Sequence, residues 1–196
     1  IPFGVGAPQG DPIGGFIQGS INYAKLSTRG LDFSANYRME TADFFANDYG
    51  SLNFSIAGLW LIEQKQFLNS ADPGFFNEFA GTVGLPRTRF NAGITWEVND
   101  VFTVGWNVNW QSAQNSVYRR AFILNADSRP VDTLDTGNFA VHDFTVRFRP
   151  REDLTLRATL TNAFDAEQPR YLGTGFADNF DPYGTRLSVG LSYTPF

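Results

Sequence analysis

Apolar and polar residues alternate with a period of two along much of the 196-residue chain, the spacing of sheets whose two faces meet different surroundings. Seven segments carry the pattern. The first, about Ser20 to Met39, sets Leu31, Phe33, Ala35, Tyr37 and Met39 against Asp32, Ser34, Asn36 and Arg38, with Gly30 read as a bulge or a relief of twist. In the second, about Ser51 to Glu63, Leu52, Phe54, Ile56 and Trp60 oppose Ser51, Asn53, Ser55 and Glu63, and Gly58 interrupts the apolar row. A third, about Thr88 to Val98, alternates Phe90, Ala92, Ile94 and Trp96 with Arg89, Asn91, Gly93, Thr95 and Glu97. After a tight Asn99-Asp100 turn the fourth, about Val101 to Gln111, is the cleanest: Phe102, Val104, Trp106, Val108 and Trp110 share one face. The fifth, about Phe139 to Arg149, opposes Phe144, Val146 and Phe148 to Asp143, Thr145 and Arg147. A turn at Pro150 to Asp153 leads to the sixth, with Leu154, Leu156, Ala158 and Leu160 against Thr155, Arg157, Thr159 and Thr161. The seventh, about Thr185 to Tyr193, sets Leu187, Val189, Leu191 and Tyr193 against Arg186, Ser188, Gly190 and Ser192.

Segments of about nine residues or more match a tilted strand crossing a bilayer and exceed the five or six usual in soluble sheets. Connections alternate in length. Those after the first, third and fifth segments are short, and those after the second, fourth and sixth run to roughly 20 residues or more, beyond ordinary hairpin loops. Transmembrane barrels have short periplasmic turns and long external loops. The expected fold is therefore all-β, an antiparallel transmembrane β-barrel segment, with the long loops outside and Phe196 on the periplasmic side. A soluble β-sandwich with the rings on its inner faces accounts for neither the strand lengths nor the alternating loops.

Composition agrees with this reading. Twenty Phe, seven Tyr and four Trp are present, and no apolar run approaches the roughly 20 residues of a membrane-spanning helix. Rings belong in girdles at the two water–lipid boundaries, where Tyr37, Trp96, Phe102, Phe148 and Tyr193 are expected at one end and Tyr23, Trp60 and Trp110 toward the other. Cysteine is absent, which removes disulfides, thiolate metal sites and cysteine nucleophiles. A net charge of −5 with dispersed Lys and Arg argues against nucleic-acid binding. Ile1 to Gly6 shows no signal-peptide pattern, so an exported chain is expected to begin upstream.

Candidate chemistry falls into two groups. On the polar phase of the strands lie Arg38, Glu63, Arg89, Glu97, Asp143, Arg147, Arg157 and Arg186, expected to face a hydrated lumen and to touch whatever fills or crosses it. The long loops hold Phe75, Phe76, Phe79, Tyr118 and Phe122 beside Asp72, Glu78, Asp127 and Asp132, candidates for gripping a ligand. No loop has EF-hand spacing, and no metal or other cofactor is expected. His142, the single histidine, shares a face with Phe144 and Val146 and has no serine placed for a hydrolytic triad, so it reads as an interfacial side chain and the chain as no enzyme. Gly4-Val5-Gly6 and Gly173-Thr174-Gly175 do not sit between strand and helix as phosphate loops do.

Toward the C-terminus the chain shows Asp143 in a strand, then Leu154-Thr155-Leu156, Asn162-Ala163-Phe164-Asp165, Pro169-Arg170-Tyr171, Phe180-Asp181-Pro182-Tyr183-Gly184 and a terminal strand ending in Phe196. Upstream are Asn22, Ala24, Gly30-Leu31-Asp32 and Gly84-Leu85-Pro86. In this order and spacing the residues resemble the closing part of TonB-dependent outer-membrane receptors, over nearly the whole chain. The family motif maps onto Asn162, Phe164, Asp165, Gly184 and Phe196. There are two departures: the usual Gly-Arg is Gly184-Thr185 with Arg186 one place later, and Thr194 stands where an aromatic commonly lies two places before the terminal Phe. The resemblance implies a barrel of twenty-two strands in the bacterial outer membrane, closed around an N-terminal plug. It implies import of a scarce nutrient such as a siderophore, cobalamin or glycan, with energy from the TonB complex. Residues 1–196 are then the C-terminal portion of the barrel, and the plug and earlier strands lie outside this sequence. Its partners are those missing parts, the outer-membrane lipid, TonB and the barrel assembly machinery that reads the Phe196 end. Seven strands alone leave two open edges, costly in lipid. A passive porin is the competing function, and a soluble binding module is a more distant one.

Overall fold

The computed structural model describes residues 25–67, 72–116, 134–171 and 180–195. These form one antiparallel sheet, with strands β1 (Lys25–Glu40), β2 (Ser51–Phe67), β3 (Phe76–Glu78), β4 (Thr88–Glu97), β5 (Phe102–Gln111), β6 (Phe139–Arg151), β7 (Leu154–Thr161) and β8 (Arg186–Tyr193). Every long strand pairs with its sequence neighbour in the order β1-β2-β4-β5-β6-β7-β8, and the short β3 hangs on the far end of β2. Such an up-and-down meander is the wall of a barrel. Here it is not closed, because β1 and β8 stand at opposite ends of the order. Among the described residues the only helical element is a 3-10 turn, Thr41–Asp43, and no helix is long and apolar enough to cross a membrane.

All seven expected segments are strands, and the period of two is why. Directly opposed residues share a face of the sheet, so one row can be followed across it from the pairings: Leu31, Trp60 and Thr88, or Ala35, Ile56, Ala92, Val108 and His142. The same register carries Ala158 opposite Val146 and Val189 opposite Ala158. One face is thus a continuous field of Leu, Ile, Val and rings. The other gathers Asp32, Asn36, Arg38, Asn91, Thr95, Asn107, Asp143, Thr145, Thr159 and Ser188.

Rings on the apolar face meet across strands. Phe90 stacks on Trp110 at 5.1 Å and Trp106 on His142 at 5.8 Å, contacts that add to the burial of area. Among the described residues no second layer packs on this face: Leu31, Trp60, Leu187, Val189 and Leu191 are all exposed. A soluble sandwich would bury such a field against a second sheet, whereas the described strands all lie in one sheet.

Four details differ from the sequence reading. β2 runs on to Phe67 and β3 lies within what reads as loop, because Phe67 pairs with Phe76 and Lys65 with Glu78. Residues 20–24 of the first segment, with Tyr23, lie outside the described residues. β6 extends through Pro150 to Arg151, where a register shift between Phe148 and Arg151 accommodates a residue with no N–H to donate. The connection to β7 is therefore only Glu152 and Asp153.

The fourth concerns Glu63. Arg29 opposes Glu63 while Gly30 opposes Leu61, so Ile62 is an extra residue on β2 and the strand changes phase there. Beyond the bulge Gln64, not Glu63, shares the face of Thr28 and Arg89. Glu63 turns to the apolar-phase face, where it pairs with Lys65 at 2.8 Å and Arg29 at 3.7 Å. Its expected position on the polar face is corrected accordingly.

At the end with short connections, residues 41–50 are held by Thr41. Its N–H and hydroxyl both donate to the Gly50 carbonyl, at 2.9 and 2.7 Å, and its hydroxyl accepts from Tyr49 N–H at 2.7 Å. Gly50 has φ of 88°, and a Cβ there would overlap the Glu97 carbonyl oxygen. Trp96 Nε1–H donates to the Tyr49 carbonyl at 2.8 Å, fixing one ring of a rim completed by Phe45, Tyr49 and Leu52.

Candidate functional site

The polar face is concave enough to hold a trough of about 470 Å³. Its lining is rich in hydroxyls, from Ser55, Thr95, Thr103, Thr145 and Thr159, and Gly93 and Gly105 contribute no side chain to obstruct it. Toward the short-connection end, Arg38 bridges two carboxylates, Glu40 at 3.0 Å and Glu97 at 3.5 Å, and Ser51 Oγ donates to the same Glu97 at 3.2 Å. These are exposed or partly exposed pairs on the polar face, each of modest worth.

The remaining polar-phase candidates spread along this face. Arg89 stands level with Asp32, the two flanking Leu59 on adjoining strands. Arg147 and Arg157 oppose each other directly, and Arg147 donates to Thr103 Oγ1 at 2.9 Å. Arg186 pairs with Asp181 at 2.6 Å and lies over the Tyr183 ring. Asp143 is engaged structurally, since its Oδ1 accepts the backbone N–H of Asn162 at 2.9 Å.

Asn162 explains why the Asn-Ala-Phe-Asp motif has its composition. Fully buried and at φ of 51°, it donates through Nδ2 to the carbonyls of Ala166 and Tyr183 (3.0 and 3.2 Å) and accepts Ala166 N–H at 2.8 Å. Asp165, also at positive φ, takes Thr185 N–H on its carboxylate at 3.1 Å, and a Cβ on Gly184 would meet that carboxylate oxygen at 2.6 Å. Thr185, the departure noted beside Gly184, has its own role: its hydroxyl donates to the Asn162 carbonyl at 2.7 Å. The motif is a clasp joining the start of the β7–β8 connection to its end. Phe164 projects onto the apolar face against His142 and Phe144. His142 in turn accepts from Trp106 Nε1 at 3.2 Å, so its role is packing beside rings.

Of the loop candidates, Phe76 packs on Phe67 with Lys65 over its ring, Phe75 is exposed, and the Phe79 carbonyl closes the turn to Thr82. Tyr118, Phe122 and Phe196 lie outside the described residues. The sequence reading missed an inward apolar cluster. Phe139 and Val141 sit on the polar phase of β6 but are buried by Phe180, with Val83 and Ala166 against them. Their signal was present, two apolar residues opposite Gln111 and Asn109, but their cover comes from loops remote in sequence. The loops also hold one another: Gly84 N–H donates to Gln114 Oε1 at 2.8 Å, and Gln114 N–H to Thr136 Oγ1 at 3.0 Å. Among the described residues there is no cluster of His, Cys, Asp and Glu able to hold a metal.

Long antiparallel strands with one apolar and one polar face, joined in an up-and-down meander, are those of a membrane-type β-barrel wall. The chain matches the family described as TonB dependent receptor-like, beta-barrel over residues 3–163, and it belongs to that family. No curated protein and no solved structure matches it. Membership implies a bacterial outer-membrane barrel of TonB-dependent transport, a family of receptors rather than enzymes, in which barrel, plug and TonB work together.

Proposed function

We propose that this chain is the C-terminal part of the wall of an active importer that takes up a scarce nutrient across the outer membrane with energy delivered through TonB. The observation that carries this reading is the two-faced sheet within a TonB-dependent receptor family match. In this arrangement the apolar face meets lipid, the polar face lines the lumen around a plug, and the long connections open to the outside. The clasp at Asn162 holds one external loop at the barrel mouth, and the inward cluster at Phe139 and Phe180 folds loop residues over the lumen. Lumen contacts then fall to Arg38, Arg89, Glu97, Arg147, Arg157 and Arg186, while Phe75 is more exposed than its fellow loop candidates Phe76 and Phe79 and so the most open of the three to a ligand. The C-terminal strand, with its unpaired edge, is the part offered to the barrel assembly machinery and to the strand that closes the wall.

The reading is tested by growth on limiting nutrients with the complete receptor deleted, TonB deleted, or both. An importer of this kind gives one shared growth defect, not deepened in the double deletion. Receptor-dependent uptake that survives loss of TonB identifies a passive pore instead.

A further inference from the structure

Arg147 and Arg157 stand directly opposite one another on β6 and β7, on the polar face. Like charges in that position repel at Cβ separations of about 4.5–5.5 Å, and neither guanidinium forms an ion pair among the described residues. The acids nearest in the same trough are already engaged: Glu97 by Arg38 and Ser51, Asp143 by the Asn162 backbone. On its other side Arg157 opposes Gly190, which offers no side chain at all. Around the pair the trough presents the hydroxyls of Thr103, Thr145 and Thr159. Two guanidiniums and several hydroxyls, all able to donate and with space cleared in front of them, match the planar oxygens of a carboxylate or phosphate.

We propose that Arg147 and Arg157 form an oxyanion site on the inner wall, taking a carboxylate- or phosphate-type group. This rests on the reading that the polar face is the hydrated one. The oxyanion comes either from an acidic side chain of the segment that fills the barrel or from a solute in the lumen, and the test separates the two. The complete receptor in detergent is heated with increasing inorganic phosphate, against chloride at equal ionic strength, for wild type, Arg157→Gln and Arg157→Lys. A solute site gives a saturable rise in Tm in wild type that Arg157→Gln abolishes and Arg157→Lys partly keeps. An internally filled site gives no phosphate response, but Arg157→Gln lowers Tm by several degrees and Arg157→Lys restores part of the loss. Arg157→Gln as stable as wild type or more so, with no phosphate response in either, overturns the site, as do equal phosphate responses in both. An Asn36→Cys variant, on the same polar face but outside the trough, keeps this result separate from the broader reading: its failure to react with a water-soluble maleimide would mean that the face itself is not hydrated.

Discussion

The backbone N–H of Asn162 is bound to the carboxylate of Asp143 at 2.9 Å, linking the end of β7 to the polar face of β6. Together with the three side-chain bonds of Asn162, this turns the start of the β7–β8 connection into a fixed corner. Asn162→Ala removes those three bonds, leaves the Ala166 N–H unpaired, and sets at φ of 51° a residue that tolerates the left-handed region less well than Asn. A loss of about 2–4 kcal/mol is expected, read as a lowered midpoint in urea unfolding of the complete receptor in lipid vesicles. Asn162→Asp keeps the acceptor for Ala166 N–H but turns a buried carboxylate oxygen toward the Ala166 and Tyr183 carbonyls, so it is expected to lose at least as much.

Gly50→Ala is expected to cost at least ~2 kcal/mol, because φ of 88° and the Glu97 carbonyl together forbid the added methyl. Gly84, at φ of 93° but with open space around it, gives the matched control. Its substitution by Ala carries only the backbone strain. Heat-modified mobility on gels ranks the two variants, with Gly50→Ala the less stable.

Val189 and Ser188 are neighbours on β8 that face opposite ways. Val189, 73% exposed, lies in the apolar row with Ala158, and Ser188 opposes Thr159 on the polar face. In a bilayer Val189→Arg is expected to cost roughly 2–4 kcal/mol near the midplane, and Ser188→Arg close to nothing. Equilibrium unfolding in vesicles distinguishes them, and equal costs would contradict the assignment of faces.

The strands were legible because each keeps one phase over its length, as β5 does from Phe102 to Trp110. Glu63 was misplaced because a single extra residue, Ile62, reverses phase without changing the hydropathy of the segment. Composition near Phe139 likewise did not reveal that loop residues such as Phe180 and Val83 turn the polar phase of β6 into a small core. The charged wall residues could be named by phase, but not their partners. Whether an arginine meets Glu97, as Arg38 does, or another arginine, as Arg147 does, depends on inter-strand register. Asn162 stood out as part of a motif, yet its clasp needs Asp143 of β6 and Thr185 before β8 brought to the turn that holds Asn162 and Ala166.

The most direct test is a spin-label scan of β5 in the complete receptor reconstituted in lipid, one cysteine at a time through positions 104 to 109. Labels replacing Val104, Trp106 and Val108 should collide mainly with oxygen dissolved in the bilayer, and those replacing Gly105, Asn107 and Asn109 mainly with a water-soluble nickel chelate, in strict alternation. Uniformly low accessibility to both reagents at the even positions would mean that a second protein layer covers that face, and would contradict the account.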